Sequence, residues 1–271
     1  GSGYLDTARN HNLEFMARGP NNFDLSFMGL YDEYYISYKN KNLSTFAGSK
    51  SYVFTPLTEA ARYGYGTENI VTTNQGHRAG FIYVEPRFYR DIVSEMAGFA
   101  EMNVYRGNRL GAFLFSKKNL QDAEDDRMVS VTARINPVEG TYADLEYSEG
   151  TKKDKADYAW RVNLDSRYRQ FGFSGLLIHA APEYPGYYRN TTFYNGNLSL
   201  AITRSLSASV SAREDFSNAA LDTLLFEAPY TRMLQSALNY RVSRSLELRA
   251  FYSGYERRDR MPVKKFDYHT E

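Results

Sequence analysis

The chain has no cysteine, which excludes disulfides, thiolate metal sites and a cysteine nucleophile and fits an oxidising envelope compartment. No uncharged apolar run reaches the ~18 residues that a membrane-spanning helix needs, so spanning helices are excluded as well. An excess of one charge is also lacking: 33 Lys and Arg stand against 32 Asp and Glu. That removes the basic surplus on which nucleic-acid binding depends, and nucleic acid is not expected as a partner. Proline is scarce, with 8 in 271 residues. The mean hydropathy of −0.56 is too polar for a helical membrane protein. It does not weigh against a transmembrane barrel, in which only alternate residues touch lipid. The start, Gly1-Ser2-Gly3-Tyr4, is neither basic nor followed by an apolar stretch, so no secretory signal pattern is present, which is compatible with a leader removed beforehand.

What is present is alternation. In residues 197–212, Leu198, Leu200 and Ile202 share one parity; after Thr203-Arg204-Ser205 it resumes with Leu206, Ala208, Val210 and Ala212. Side chains of an extended chain point to opposite faces in turn, so this predicts two strands, each with one apolar and one polar face, joined by a tight turn. The apolar face must meet either a protein core or lipid. Residues 238–252 repeat the pattern: Leu238, Tyr240 and Val242 precede Ser243-Arg244-Ser245, and Leu246, Leu248, Ala250 and Tyr252 follow. The two turns read I-T-R-S-L and V-S-R-S-L and are about forty residues apart, the period of an up-and-down hairpin unit.

Other segments share the pattern more than the sequence. Val129, Val131, Ala133 and Ile135 lead to Asn136-Pro137-Val138-Glu139-Gly140, and Thr141, Ala143, Leu145 and Tyr147 lead away. Ala156 to Leu164 alternate up to a turn expected at Asp165-Ser166-Arg167, followed by Phe171, Phe173 and Leu177. Met96, Ala100, Met102 and Val104 flank Arg106-Gly107-Asn108-Arg109 on one side, and Leu110, Ala112 and Leu114 on the other. Nearer the start, Leu13, Phe15 and Ala17 are separated by Gly19-Pro20-Asn21-Asn22 from Phe23, Leu25 and Phe27. Tyr34, Ile36 and Tyr38 are separated by Lys39-Asn40-Lys41-Asn42 from Leu43, Thr45 and Ala47. No helix is expected. Residues 47–70, with Pro56, Gly64 and Gly66, keep no fixed parity and predict a bent strand, a bulge or a chain folded inward.

Short turns such as 203–205 and 243–245 alternate with long polar stretches such as "REDFSNAALDTLLFEAPYTR", "KKNLQDAEDDR" and "HAAPEYPGYYRN". Short turns at one rim and long loops at the other mark an outer-membrane barrel, whereas a Greek-key sandwich has no reason to sort its connections. With 24 Tyr, 17 Phe and 1 Trp, an interfacial girdle would be mostly Tyr; Tyr240, Tyr252 and Tyr255 lie near strand ends. The repeated hairpins with Y-x-V-S-R-S-L-type turns resemble bacterial outer-membrane β-barrels over most of the chain, and Gly48 to Gly66 is similar to the early barrel of usher-like protein-translocating channels. The expected fold is therefore all-β: one membrane-spanning, antiparallel, up-and-down barrel domain over residues 1–271, with about 12–16 strands. Barrels of this kind end on a strand with a terminal aromatic residue, whereas this chain ends "MPVKKFDYHTE". Leu246 to Tyr255 is thus expected to be the last strand, or the chain to be one piece of a longer barrel or assembly.

The polar parity would face the lumen. Its candidates are Arg134, Asp144, Glu146, Arg161, Arg213, Arg241, Glu247 and Arg249, accompanied by many hydroxyls. Both signs are represented, which suits a wet or plugged interior without strong ion selectivity. The aromatic, charged stretch 83–98 is expected to be a loop, and Phe88, Tyr89, Tyr184, Tyr187 and Tyr188 are candidates for gripping a glycan or a partner chain. His11, His77, His179 and His269 sit in no His-x-Ser arrangement, so an outer-membrane lipid hydrolase or protease is not supported and no catalytic residue is assigned. The cluster Asp122, Glu124, Asp125 and Asp126 lacks calcium-loop order, so no metal or cofactor is expected. The leading expectation is an outer-membrane channel, a passive pore or translocation conduit that meets outer-membrane lipid and a small polar solute or translocated chain, with oligomerisation left open. The alternatives are a closed barrel that binds partners through Tyr-rich loops, or a soluble β-sheet protein that binds polysaccharide.

Overall fold

In the computed structural model, residues 1–19, 33–105, 107–121 and 124–271 are described. Residues 20–32, including Pro20, Asn21, Asn22, Phe23, Leu25 and Phe27, lie outside them, as do Arg106 and Asp122. The chain forms β1 (Ser2–Tyr4), β2 (Asn12–Arg18), β3 (Glu33–Lys39), β4 (Leu43–Val53), β5 (Ala61–Thr72), β6 (Arg78–Pro86), β7 (Ile92–Asn103), β8 (Arg109–Asn119) and β9 (Asp126–Val138). It continues with β10 (Thr141–Lys152), β11 (Lys155–Tyr168), β12 (Phe171–Ala180), β13 (Thr191–Ala201), β14 (Leu206–Ser217), β15 (Pro229–Arg241), β16 (Glu247–Asp259) and β17 (Asp267–Thr270). Among the described residues there is no helix. The 17 strands among the described residues belong to one antiparallel, up-and-down sheet.

The described residues hold 17 strands against the expected 12–16: β1 and β17 are short pairings that alternation cannot reveal, β5 falls in the stretch without fixed parity and β6 runs into the one expected to be loop. Residues 153–154 alone connect β10 to β11. Lys153 and Asp154 both take positive φ (48° and 63°), which lets a two-residue hairpin follow the twist of its strands. The chain also continues past the expected last strand, because β17 pairs with β16 through Tyr255↔Thr270 to Arg258↔Asp267.

By its contacts the chain divides into two compact units, one comprising Gly1–Val104 with Leu110–Val131 and the other Tyr105–Arg109 with Thr132–Glu271. In the first unit, the register carries the alternating apolar residues across neighbouring strands: Leu13↔Tyr38↔Thr45 and Phe15↔Ile36↔Ala47. The opposite parity holds the buried set, with Tyr52, Val84, Ala97, Phe115 and Met128 at 3% exposure or less. Residues 54–60 fold onto this buried set. Phe54 meets Phe115 edge-on, with ring centroids 5.0 Å apart, and Leu57 is fully buried. Of the three readings of residues 47–70, the chain folded inward describes this connection. Parity fails along β5 because glycines occupy polar-side positions at Gly64 and Gly66, where a Cβ would strike the backbone of β6.

In the second unit, the two similar turns prove to be built alike. The Thr203 Oγ1 accepts N–H groups of Ser205 (3.2 Å) and Leu206 (3.0 Å), and the Ser243 Oγ accepts those of Ser245 (3.2 Å) and Leu246 (3.1 Å). In each, the two residues opening the turn donate to the carbonyl of the leucine closing it. A hydroxyl residue in the first turn position thus replaces the missing strand partner. At the same end lie the connections 139–140 and 169–170, while 181–190, 218–228 and 260–266 lie at the other. Sorting by length holds in this unit except at 153–154. Four expected boundaries move. β9 runs on to Val138, so Asn136-Pro137-Val138 is strand and the turn is Glu139-Gly140. β11 runs on to Tyr168, so Asp165-Ser166-Arg167 is strand and the turn falls at Arg169, with φ 52°. Residues 83–86 and 92–98 are strand, which leaves only 87–91 as loop. The long polar stretches contain strand ends, and outside the strands lie 120–121 with 124–125, 181–190 and 218–228.

Candidate functional site

The pairing register assigns every strand residue to a face. In the second unit one face carries Leu145↔Val162↔Leu177↔Tyr194, Phe173↔Leu198↔Val210 and Ala208↔Leu238↔Ala250. These apolar residues are not covered by protein. Leu198 is 48% exposed, Val210 46%, Leu238 45% and Leu248 54%. Charged groups, by contrast, are buried: Glu146 is 4% exposed in this unit, and Glu95 and Arg62 are 0% and 5% in the other. In a water-soluble domain burial of a Leu or Val contributes ~1.5–3 kcal/mol, so large contiguous rows of uncovered apolar side chains are rare there. The exposed face also carries a row of aromatic groups at its long-loop end. Tyr147 stacks on Tyr158 (6.3 Å), Tyr158 and Trp160 each lie 6.0 Å from His179, Tyr194 meets Phe216 (6.2 Å) and Phe216 meets Tyr230 (4.8 Å). At the turn end the same face has Tyr168, Phe171 and Tyr240. Tyr255 pairs with Met233 and Thr270 on the other face, so it does not join either row.

That other face is polar. Arg134 Nε donates to Asp144 Oδ1 at 2.6 Å, Glu146 lies opposite Arg161, and Arg213 reaches Asp215 at 3.3 Å. Arg241 lies opposite Glu247, and Arg249 opposite Asn239. All eight residues read from the sequence as the polar parity therefore share one face, with opposite charges adjacent across or along strands. Above them, the long loops are held together by Asn190 and Asn218, both buried and both at positive φ (48° and 50°). The Asn190 amide donates to Asn218 Oδ1 (2.9 Å); Asn218 in turn donates to the carbonyls of Asp222 (3.0 Å) and Glu227 (3.2 Å). Asp259 accepts N–H groups from Ala228, Met261 and Lys265, fixing the start of the 260–266 loop.

In the first unit the buried charges form a cluster invisible in the sequence. Arg62 Nη2 donates to Glu59 Oε2 (2.5 Å) and its Nε to Glu95 (3.2 Å), while its guanidinium lies 3.8 Å from the centre of the Tyr89 ring. Burial pushes the Glu59 carboxyl above the ordinary range, against the pull of Arg62 and Lys117. Lys50 and Glu68 pair on the same face, as do Arg78 and Glu101 (3.0 Å). Residues 59, 62 and 95 are far apart or out of phase in sequence; only the register Val84↔Glu95 and the inward connection bring them together.

The five aromatic loop candidates divide between the two units. Phe88 and Tyr89 belong to the first unit, where Phe88 stacks on Tyr63 (5.7 Å). Tyr184 is fully buried and donates its hydroxyl to Ser148 Oγ (2.8 Å), and burial holds its proton well beyond the usual tyrosine range, so it serves the loop rather than a ligand. Tyr187 is exposed and packs edge-on against Tyr188 at 5.0 Å. The histidines lie in local hydrogen bonds: His11 with Tyr38, His77 with Gln75 and His179 with Thr192. Asp126 opens β9, buried against Asn119 (2.9 Å) and Lys117 (3.8 Å), and among the described residues no group of three metal-ligating side chains occurs.

The sequence matches no protein-family model and no curated protein. The functional reading therefore rests on the two faces of the sheet.

Proposed function

We propose that this chain is an outer-membrane β-barrel channel, with lipid against the apolar face and a polar, mixed-charge conduit on the other. The observation that carries the reading is the exposure of Leu198, Val210, Leu238 and Leu248 on one face of the second unit, whose opposite face buries Glu146. Dimensions support it. From Leu206 to Phe216 on β14, ten residue steps at about 3.4 Å make about 34 Å of strand, and a tilt of about 40° reduces this to about 26 Å of height. The apolar band of outer-membrane barrels is about 25 Å tall and flanked by aromatic girdles. Glu214 and Arg232, 3.5 Å apart, sit one step inside the Phe216–Tyr230 row, at the interface, where a charge in such a barrel costs only about 0–1 kcal/mol. The similarity of Gly48–Gly66 to usher-like channels favours a translocated chain as one cargo, and the charge mixture a small polar solute as the other.

Trp160, the single tryptophan, lies on the apolar face opposite Tyr147 and His179. Reconstituted into vesicles, it is expected to be quenched by lipids brominated near the headgroup more than by lipids brominated at the chain end. A protein that remains in buffer with no quenching by either lipid refutes the membrane placement. Conductance steps in planar bilayers test the conduit separately.

A further inference from the structure

On the polar face of β13 to β16 lies a trough that differs from the charged surface around it. Its volume is about 520 Å³, within the ~300–1,000 Å³ of small-molecule sites. The register row Asn197↔Ser211↔Gln235↔Ser253 forms one side and is uncharged throughout. The next row, Ser199↔Ser209↔Ala237↔Phe251, steps from small side chains to a ring. Phe251 is 73% exposed although it belongs to the polar parity, and the residue directly opposite it is only Ala237, which leaves space beside the ring. Arg249, two residues before it, has its guanidinium carbon 5.9 Å from the ring centre.

A phenyl ring on a water-facing surface leaves most of its apolar area uncovered beside Arg249, and neighbouring amide and hydroxyl groups are spread over four strands. Gln235 reaches Ser253 only at 3.4 Å. The ligand that matches both features is a pyranose. Its C–H face is apolar and slightly positive at the hydrogens, which suits the negative face of an aromatic ring, and its rim of hydroxyls both donates and accepts. Arg249, the one charged side chain lining the trough, can donate to a sugar hydroxyl and can also attract an anion, so an anionic probe is the control. We infer that this trough is a saccharide-binding site, with Phe251 as the stacking platform and Asn197, Ser211, Gln235 and Ser253 as hydrogen-bonding partners. The inference deepens the channel proposal by naming a solute class, and it rests on the polar face being the wet side.

The test is saturation-transfer NMR on the full chain folded in detergent, titrated separately with maltotriose, chitotriose and, as an anionic probe, tripolyphosphate. At least one trisaccharide is expected to bind. Phe251→Leu, which keeps an apolar side chain but removes the ring, should raise its Kd by about three- to tenfold, while Phe251→Trp preserves or tightens it. Gln235→Ala should weaken binding by about fivefold. Circular dichroism confirms that each variant folds. No transfer to either trisaccharide overturns the site, as does unchanged affinity in Phe251→Leu or binding of tripolyphosphate alone. Trp160 quenching is read on the same preparation after reconstitution. Quenching without saccharide binding removes this inference and leaves the channel reading standing, whereas saccharide binding without quenching keeps the site and removes the membrane reading.

Discussion

Val210 sits midway along β14, between Leu198 on one side and Ser236 on the other, on the apolar face and 46% exposed. Ser209 is its chain neighbour, at the same depth on the opposite face. Replacing each by arginine separates lipid from water as the medium touching that face. If lipid covers Val210, the guanidinium arrives near the middle of the apolar band and costs about 2–4 kcal/mol, the range for a midplane arginine in an outer-membrane barrel. If water covers it, exchanging one exposed side chain for another falls within about 0.5 kcal/mol. Ser209→Arg faces the polar side in either case and is expected to stay within about 0.5 kcal/mol. The assay is reversible urea unfolding in phospholipid vesicles, followed by Trp160 fluorescence, with free energies taken at constant slope. Equal, small effects of Val210→Arg and Ser209→Arg would falsify the assignment of lipid to this face, whatever conductance is recorded.

Three further outcomes are expected. Arg62→Ala leaves Glu95 and Glu59 without their buried cation and should destabilise the first unit by about 3–5 kcal/mol, while Arg62→Met combined with Glu59→Gln and Glu95→Gln recovers a large part, as measured by the same unfolding assay. Asn218→Ala should cost about 2–4 kcal/mol, because it strains a left-handed backbone and abandons buried partners in the 181–190 and 218–228 loops; Asn218→Gly should cost less, and hydrogen exchange at Ala220 and Asp222 reports the loosened loop. The buried Tyr184 hydroxyl has its pKa raised in the folded protein, so the stability it contributes is present below the unfolded tyrosine value of about 10 and declines as pH rises beyond it. Unfolding midpoints at pH 9 and pH 11 should therefore differ less in Tyr184→Phe than in the unsubstituted chain; an identical difference in both counts against this account.

Much of the architecture was legible because a strand writes its two faces into alternate letters. Leu206, Ala208, Val210 and Ala212 announce one face in consecutive steps, and the register confirms that they share it. The eight charged candidates followed from the same parity, and all fall on one side. Hydroxyl-led turns were equally local, since Thr203 and Ser243 bond only to residues two and three places ahead. Where glycine replaced a side chain, as at Gly64 and Gly66, the alphabet fell silent and the inward connection was seen only as lost parity. Aromatic content likewise gave no positions: Tyr184 and Tyr187 lie in one loop, yet the first is buried and the second exposed.

Sequence alone determined strand character, the pairing of an apolar with a polar face, and the chemistry of the tight turns, because each depends on neighbours within a few residues. Tertiary structure decided which face protein covers. It set Glu59, Arg62 and Glu95 in contact, tied the long loops through Asn190 and Asn218, and left Phe251 standing beside uncharged polar groups from three other strands. Those outcomes depend on which residues come opposite one another across strands, and cross-strand register is a property of the assembled sheet rather than of any one segment.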